Sequence, residues 1–263
     1  MNLSQLKNFL EHNKNYTSFN LDGEKIGQKG ALELAEFLVN KNDITEVFLG
    51  DNEIGDEGIK AITHSLKLSK ELKKLSLYNN KISDEGAKAI AESVKFHKNL
   101  TILSVGNNLI EDEGIEAIAN SLKSHKKLKE LGLYSNKISD KGIKALAKSL
   151  KSNIDLSVLG LENNNVSYKG IKFIAESLKS HKSITKLYLG NNIIDDLGAK
   201  IIADFIQSHK SLTALGIENN QITDVGIKFI VNSLRVHKSL TTLYFKNNLF
   251  SNKWEKAITD ILN

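Results

Sequence analysis

Five histidines recur on a fixed beat: His97, His125, His181, His209 and His237 stand one or two equal intervals apart, and each is followed by lysine. Periodic imidazoles could ligate a metal or titrate near neutrality. Two carboxylates on the same beat, Glu162 and Glu218, could form the acid/base pair of a glycosidase. Tyrosines follow it too, Tyr78 with Tyr134 and Tyr188 with Tyr244, each pair two intervals apart. Rings of this kind supply contact area to a docking partner at low entropic cost. Other chemistries are excluded at once. The chain has no cysteine, hence no disulfide, thiolate zinc site, iron–sulfur cluster or cysteine nucleophile. Neither G-x-x-x-x-G-K-[ST] nor G-x-G-x-x-G occurs, so nucleotide binding has no support.

The elements that position these residues are set by the same period. The 263 residues are 40% hydrophobic and 25% charged, a globular composition. No uncharged run approaches the roughly 20 residues of a membrane helix, and the start MNLSQLKNFLEHN is too charged for a signal peptide. Proline is absent, so something else must punctuate the chain. Glycine does so at Gly30, Gly58, Gly86, Gly114, Gly142, Gly170, Gly198 and Gly226, and asparagine at Asn52, Asn80, Asn108, Asn136, Asn164, Asn192, Asn220 and Asn248. Both series step by 28 residues. Between them Leu72, Leu75, Leu77, Asn80 and Ile82 spell L-x-x-L-x-L-x-x-N-x-I, repeated at Leu128–Ile138 and Ile184–Ile194. Leu75 and Leu77 alternate with Ser76 and Tyr78, as in a short strand with one buried face. Ala87, Ile90, Ala91 and Val94 then make the stripe of an amphipathic helix. The acids of SDEG complement that helix's N-terminus. One strand and one helix cannot bury their own apolar faces, but stacked copies can.

This frame resembles the leucine-rich repeat, and its 28-residue length with a helix in the second half resembles the ribonuclease-inhibitor-like subfamily. The fold expected is an α/β solenoid or horseshoe, with a parallel concave sheet of about nine strands and convex outer helices. A single solenoid domain over 1–263 is expected, with 1–15 as an N-terminal cap helix, 16–239 as eight full repeats and 240–263 as the last repeat and cap. Leu3, Leu6 and Leu10 precede Ile59, Ile62 and Leu66 by two such steps, and Trp254 takes the place of the ladder glycine as a lid on the last layer. The resemblance implies protein binding. Stand-alone horseshoes of this kind are similar to the leucine-rich-repeat effectors of intracellular bacterial pathogens. Lysine in place of arginine, with abundant Asn and Ile, fits an AT-rich genome, and a protist repeat protein fits as well. The subfamily also includes activators of the Ran GTPase, which makes regulation of a small GTPase the rival reading. Those proteins typically carry an acidic tail, which this sequence does not show. Ribonuclease inhibitors are cysteine-rich with two alternating repeat lengths, unlike this chain.

Counting each repeat from residues 16, 44, 72 and onward, positions two, three, five, seven and eight should face the concave side. Positions five and seven carry Phe48, Tyr78, Tyr134, Glu162, Tyr188, Glu218, Tyr244 and Lys246. These are the candidate partner-binding residues. Gly106, Gly132, Gly160 and Gly190 stand beside the rings, leaving a shallow floor that a partner side chain could enter. Glu162 and Glu218 should be about 10 Å apart by strand spacing, with no groove beside them and nothing to shift their acidity. They read as open surface, or as a docking spot for a basic partner. The asparagine row should satisfy backbone groups, and the glycine row should ease the turn onto each helix. The histidines, at helix C-termini on the outer side, should complement the dipole with their lysines. Neighbouring helix ends, about 8–10 Å apart, cannot share a metal. The net charge of +5 comes from 36 Lys+Arg against 31 Asp+Glu, with Arg235 the single arginine. The lysines fall on the convex helices among Glu57, Glu85, Glu92 and Glu113, which reads as a solvated face rather than a nucleic-acid footprint. No catalytic residue, metal or cofactor is expected, nor any membrane or nucleic-acid partner. The expected protein is a cytoplasmic, monomeric, non-enzymatic scaffold.

Overall fold

The frame folds with its period intact. The computed structural model describes residues 1–262. Strands and helices alternate from α1 (Leu3–His12) and β1 (Ser18–Asn20) to β9 (Thr242–Tyr244) and α10 (Asn252–Leu262). Among the described residues, nine parallel strands lie in one open sheet in chain order. They pair position for position, Phe19 with Val47, Leu75 with Leu103 and Leu131 with Leu159. Strands stack at about 4.8 Å whereas packed helices need 8–10 Å. One of each per repeat therefore bends the stack with the sheet inside. The core runs without a break from Leu6 and Leu10 of α1, through Leu75, Leu103, Leu131 and Leu159, to Ile258 of α10. Trp254 packs half-buried against that last layer. No helix among the described residues is long and apolar enough to cross a membrane.

Side chains tie each repeat to the next. The buried Asn136 amide donates to Val105 O of the preceding repeat at 3.1 Å and to Leu133 O and Tyr134 O of its own at 3.1 and 3.2 Å. Its carbonyl accepts from Ile110 N at 3.1 Å. Asn80, Asn108, Asn164, Asn192 and Asn220 repeat the arrangement. A second row was not foreseen. Asp112, in the first helical turn of its repeat, accepts from Ser139 N at 2.8 Å, Ser139 Oγ at 2.6 Å and Gly142 N at 2.9 Å. Asp56, Asp140 and Asp196 do the same one repeat on.

That second row corrects the role of the glycines. Gly86, Gly114, Gly142, Gly170 and Gly226 lie inside helices without positive φ. A Cβ at Gly142 would press on Asp112 Oδ1 at 2.6 Å and Ile115 at 2.5 Å. Glycine is needed there because the neighbouring helix approaches too closely for a side chain. The left-handed turn falls instead to the residue before the ladder asparagine, as at Asn79, Asn107, Ser135 and Asn163, with φ of 50 to 53°.

The histidines are corrected too. They are not cationic caps on the outside: His97 and His125 are fully buried, and His181, His209 and His237 nearly so. Each ring bonds to a carbonyl of an earlier repeat, His97 Nδ1 to Ser69 O at 3.0 Å and His209 Nε2 to Leu178 O at 2.8 Å. Asn153 fills the same place in its repeat, donating to Leu122 O and His125 O at 3.0 and 2.8 Å. Burial lowers the pKa of His97 from 6.5 to about 4 and lowers that of His125. Neutral imidazole is thus part of the fold.

Two outcomes follow. Replacing Asn136 by Ala leaves the buried Ile110 N–H without an acceptor and takes one of two donors from each of Val105 O, Leu133 O and Tyr134 O, and should cost about 2 kcal/mol in urea unfolding. For His97, the folded pKa lies below the unfolded one. Its contribution is complete above pH 6.5 and is lost as pH falls toward about 4. His97→Asn, using the residue native at 153, should fold normally and lose less stability than the parent between those pH values.

Candidate functional site

The concave face carries what its period places there, since strand side chains alternate and positions four and six are taken by the core. Phe48, Tyr78, Tyr134, Glu162, Tyr188 and Glu218 lie on it half-buried, and Tyr244 and Lys246 are exposed at its last strand. They do not form one continuous patch. Tyr78 lies over Gly50, near Asp22 and Asp51. Tyr134 lies over Gly106. Tyr188 and Tyr244 tilt toward one another across Gly216, with ring centres 6.4 Å apart.

The glycine floor exists only in part. A Cβ on Gly50 or Gly106 would run into the ring of Tyr78 or Tyr134, and one on Gly190 into the Glu218 carboxylate. Those three hollows are filled from the next repeat. At Gly132 and Gly160 no side chain of the next repeat covers the floor, and only the Glu162 carboxylate of the same repeat reaches over Gly160, because Ser104, Gly132 and Gly160 follow one another at position five of three adjacent strands, β4 (Ile102–Ser104), β5 (Glu130–Gly132) and β6 (Val158–Gly160). The result is a cavity of about 250 Å³ with Tyr134, Glu162 and Tyr188 around it and Ile102, Glu130 and Val158 along one side. The last three were missed as individual residues. Their signal was in the sequence: position three is polar or charged in most repeats but Ile102 and Val158 flank Glu130 there.

Glu162 departs most from expectation. A groove does flank it, and its Oε2 is buried with no hydrogen-bond partner among the described residues. Burial raises its pKa above the usual glutamate value, the bond from its own backbone lowers it, and the charge of Glu218 raises it again. Glu218 Oε2 is likewise buried and unpartnered; it lies beside a second hollow with Tyr244 and Lys246. Burial also raises the pKa of Tyr134 and Tyr188, so both rings stay neutral phenols. No group of three or more His, Cys, Asp or Glu able to hold a metal occurs among the described residues. The shift of Glu162 has a measurable sign. Its folded pKa exceeds the unfolded one, so stability is lost as pH rises through the folded value. Glu162→Gln should therefore raise the melting temperature at neutral pH, with the gain shrinking in acid, and side-chain NMR titration should place Glu162 above ordinary glutamate.

A family model for the leucine rich repeat matches residues 40–62, 69–91, 96–119, 124–147 and 208–231. No curated protein matches the chain. Among solved structures, leiomodin-1 actin-binding site 2 is similar at 21% identity and a TM-score of 0.49, over 55% of this chain and 84% of that one. The chain carries leucine-rich repeats at five matched positions, and its parallel strands and alternating helices form a leucine-rich-repeat solenoid.

Proposed function

We propose that the chain is a non-enzymatic protein-interaction scaffold that holds a macromolecular partner on its concave face. One observation carries the reading: tyrosine rings stand on the solvent side of the sheet, seated in hollows that only glycine leaves open, as Tyr78 is over Gly50 and Tyr134 over Gly106. The core gains nothing from aromatics there. A ring already held in place loses little freedom on binding, which favours affinity. Repeat length and the full helix in each unit support the ribonuclease-inhibitor-like class, and the lysine-for-arginine composition supports an effector-like origin. The acting unit is one solenoid, because α1 and α10 share a single core with the repeats between them. Its edge strands β1 and β9 are three residues long, too short to invite strand addition, which supports a monomer.

Replacing Tyr78, Tyr134 and Tyr188 together by Ala should remove partner capture from lysate by tenfold or more. Far-ultraviolet circular dichroism and the urea midpoint should show the solenoid retained. Undiminished capture by a folded triple variant would sink the reading.

A further inference from the structure

The cavity over Gly132 and Gly160 has a chemistry of its own. Its two charged lining residues, Glu130 and Glu162, are both acidic, in a chain of net charge +5. Among the described residues neither carboxylate is in an ion pair, although lysines pair with Glu46, Glu53, Glu57, Glu85, Glu92, Glu111 and others elsewhere. Seven buried side-chain polar atoms lack a hydrogen-bond partner among the described residues, on His125, Ser149, Asn153, Glu162, His181, Glu218 and Trp254, and of these residues Glu162 alone lines this cavity. A buried acceptor without a donor costs free energy that a bound donor would restore. Tyr134 and Tyr188 line the same space, and tyrosine attracts a cation to its ring.

We propose that this cavity receives one arginine side chain from the protein partner, the guanidinium bonding to Glu162 between Tyr134 and Tyr188. The inference rests on the concave-face reading above and names what the partner brings to it. Volume fits, since about 250 Å³ is below the 300–1,000 Å³ typical of sites for whole small molecules and is suited to one side chain. Arginine fits better than lysine. Its planar group is weakly hydrated, stacks on aromatic rings, and presents a fork of donors to a carboxylate. Ile102 and Val158 offer apolar contact to the methylene stem. Glu130, farther along the same wall, supplies a second negative charge without occupying the floor.

The test uses the intact protein with ring-labelled tyrosine and two small probes, N-acetyl-arginine methylamide and its neutral isostere N-acetyl-citrulline methylamide. Arginine should shift the Tyr134 and Tyr188 signals and leave Tyr78 still. Citrulline should bind at least tenfold more weakly, the lysine analogue should fall between them, and Glu162→Gln should remove the preference for arginine. Equal binding of citrulline and arginine overturns the proposal, as does unchanged arginine binding by folded Glu162→Gln or no shift at Tyr134 and Tyr188. The two readings fail separately. If arginine fails while the triple tyrosine variant still loses its partner, the scaffold stands and the arginine pocket does not. If the triple variant captures normally, the face itself is not the binding surface.

Discussion

Backbone bonds between repeats continue past each three-residue strand, as from Lys129 N to Thr101 O and from Ser135 N to Glu162 O, and side-chain bonds from one repeat to the next satisfy the groups that this ladder leaves open. Each ladder asparagine reaches back to a carbonyl 31 residues earlier and also bonds its own turn, as Asn136 does to Val105 and Leu133. An amide is suited to the place because it donates and accepts at once. The constraint propagates. Once the strand exit is fixed, the helix must start at a set height, so an aspartate of the preceding helix meets the next helix's first N–H groups. That close approach leaves room only for glycine.

The buried polar rows also explain how a chain with no proline or cysteine keeps a sharp repeat. Asparagine, aspartate and histidine share the work across three levels of each unit: strand exit, helix start and helix end. The helix-end row tolerates substitution between chemically different residues. Ser69, His97, His125, Asn153, His181, His209 and His237 occupy equivalent places and all are buried. What the place requires is a compact polar group able to bond across the repeat boundary. Imidazole meets that requirement, and at His97 it does so at the cost of sensitivity to acid.

The concave face follows the same rule of leaning back by one repeat, with a different outcome. Tyr78, Tyr134 and Glu218 each fill a glycine hollow of the preceding repeat. Such side chains become fixed relief rather than loose surface. Where small residues occur on three adjacent strands, no side chain of the next repeat leans in, and the hollow between Tyr134 and Tyr188 stays open. The relief of this surface thus depends on which repeats lack a filler as much as on which bear a ring.

The period of Gly and Asn, the alternation of Leu75 and Leu77 and the helical stripe after Gly86 determine fold, sheet order and facing positions from sequence alone, because each signal is local and repeated. The eight candidate residues on the concave face were legible for the same reason. Three things were decided only by the tertiary structure: the role of the glycines, the burial of the histidines and the enclosure of Glu162. Each depends on atoms of neighbouring repeats, distant in sequence, that meet only after stacking. The linear pattern shows that His97 ends a helix, but not that Ser69 O will cover its ring. It shows Glu162 on the concave side of a strand, but not that the stacked repeats will bury its Oε2 beside a cavity walled by Tyr134 and Tyr188.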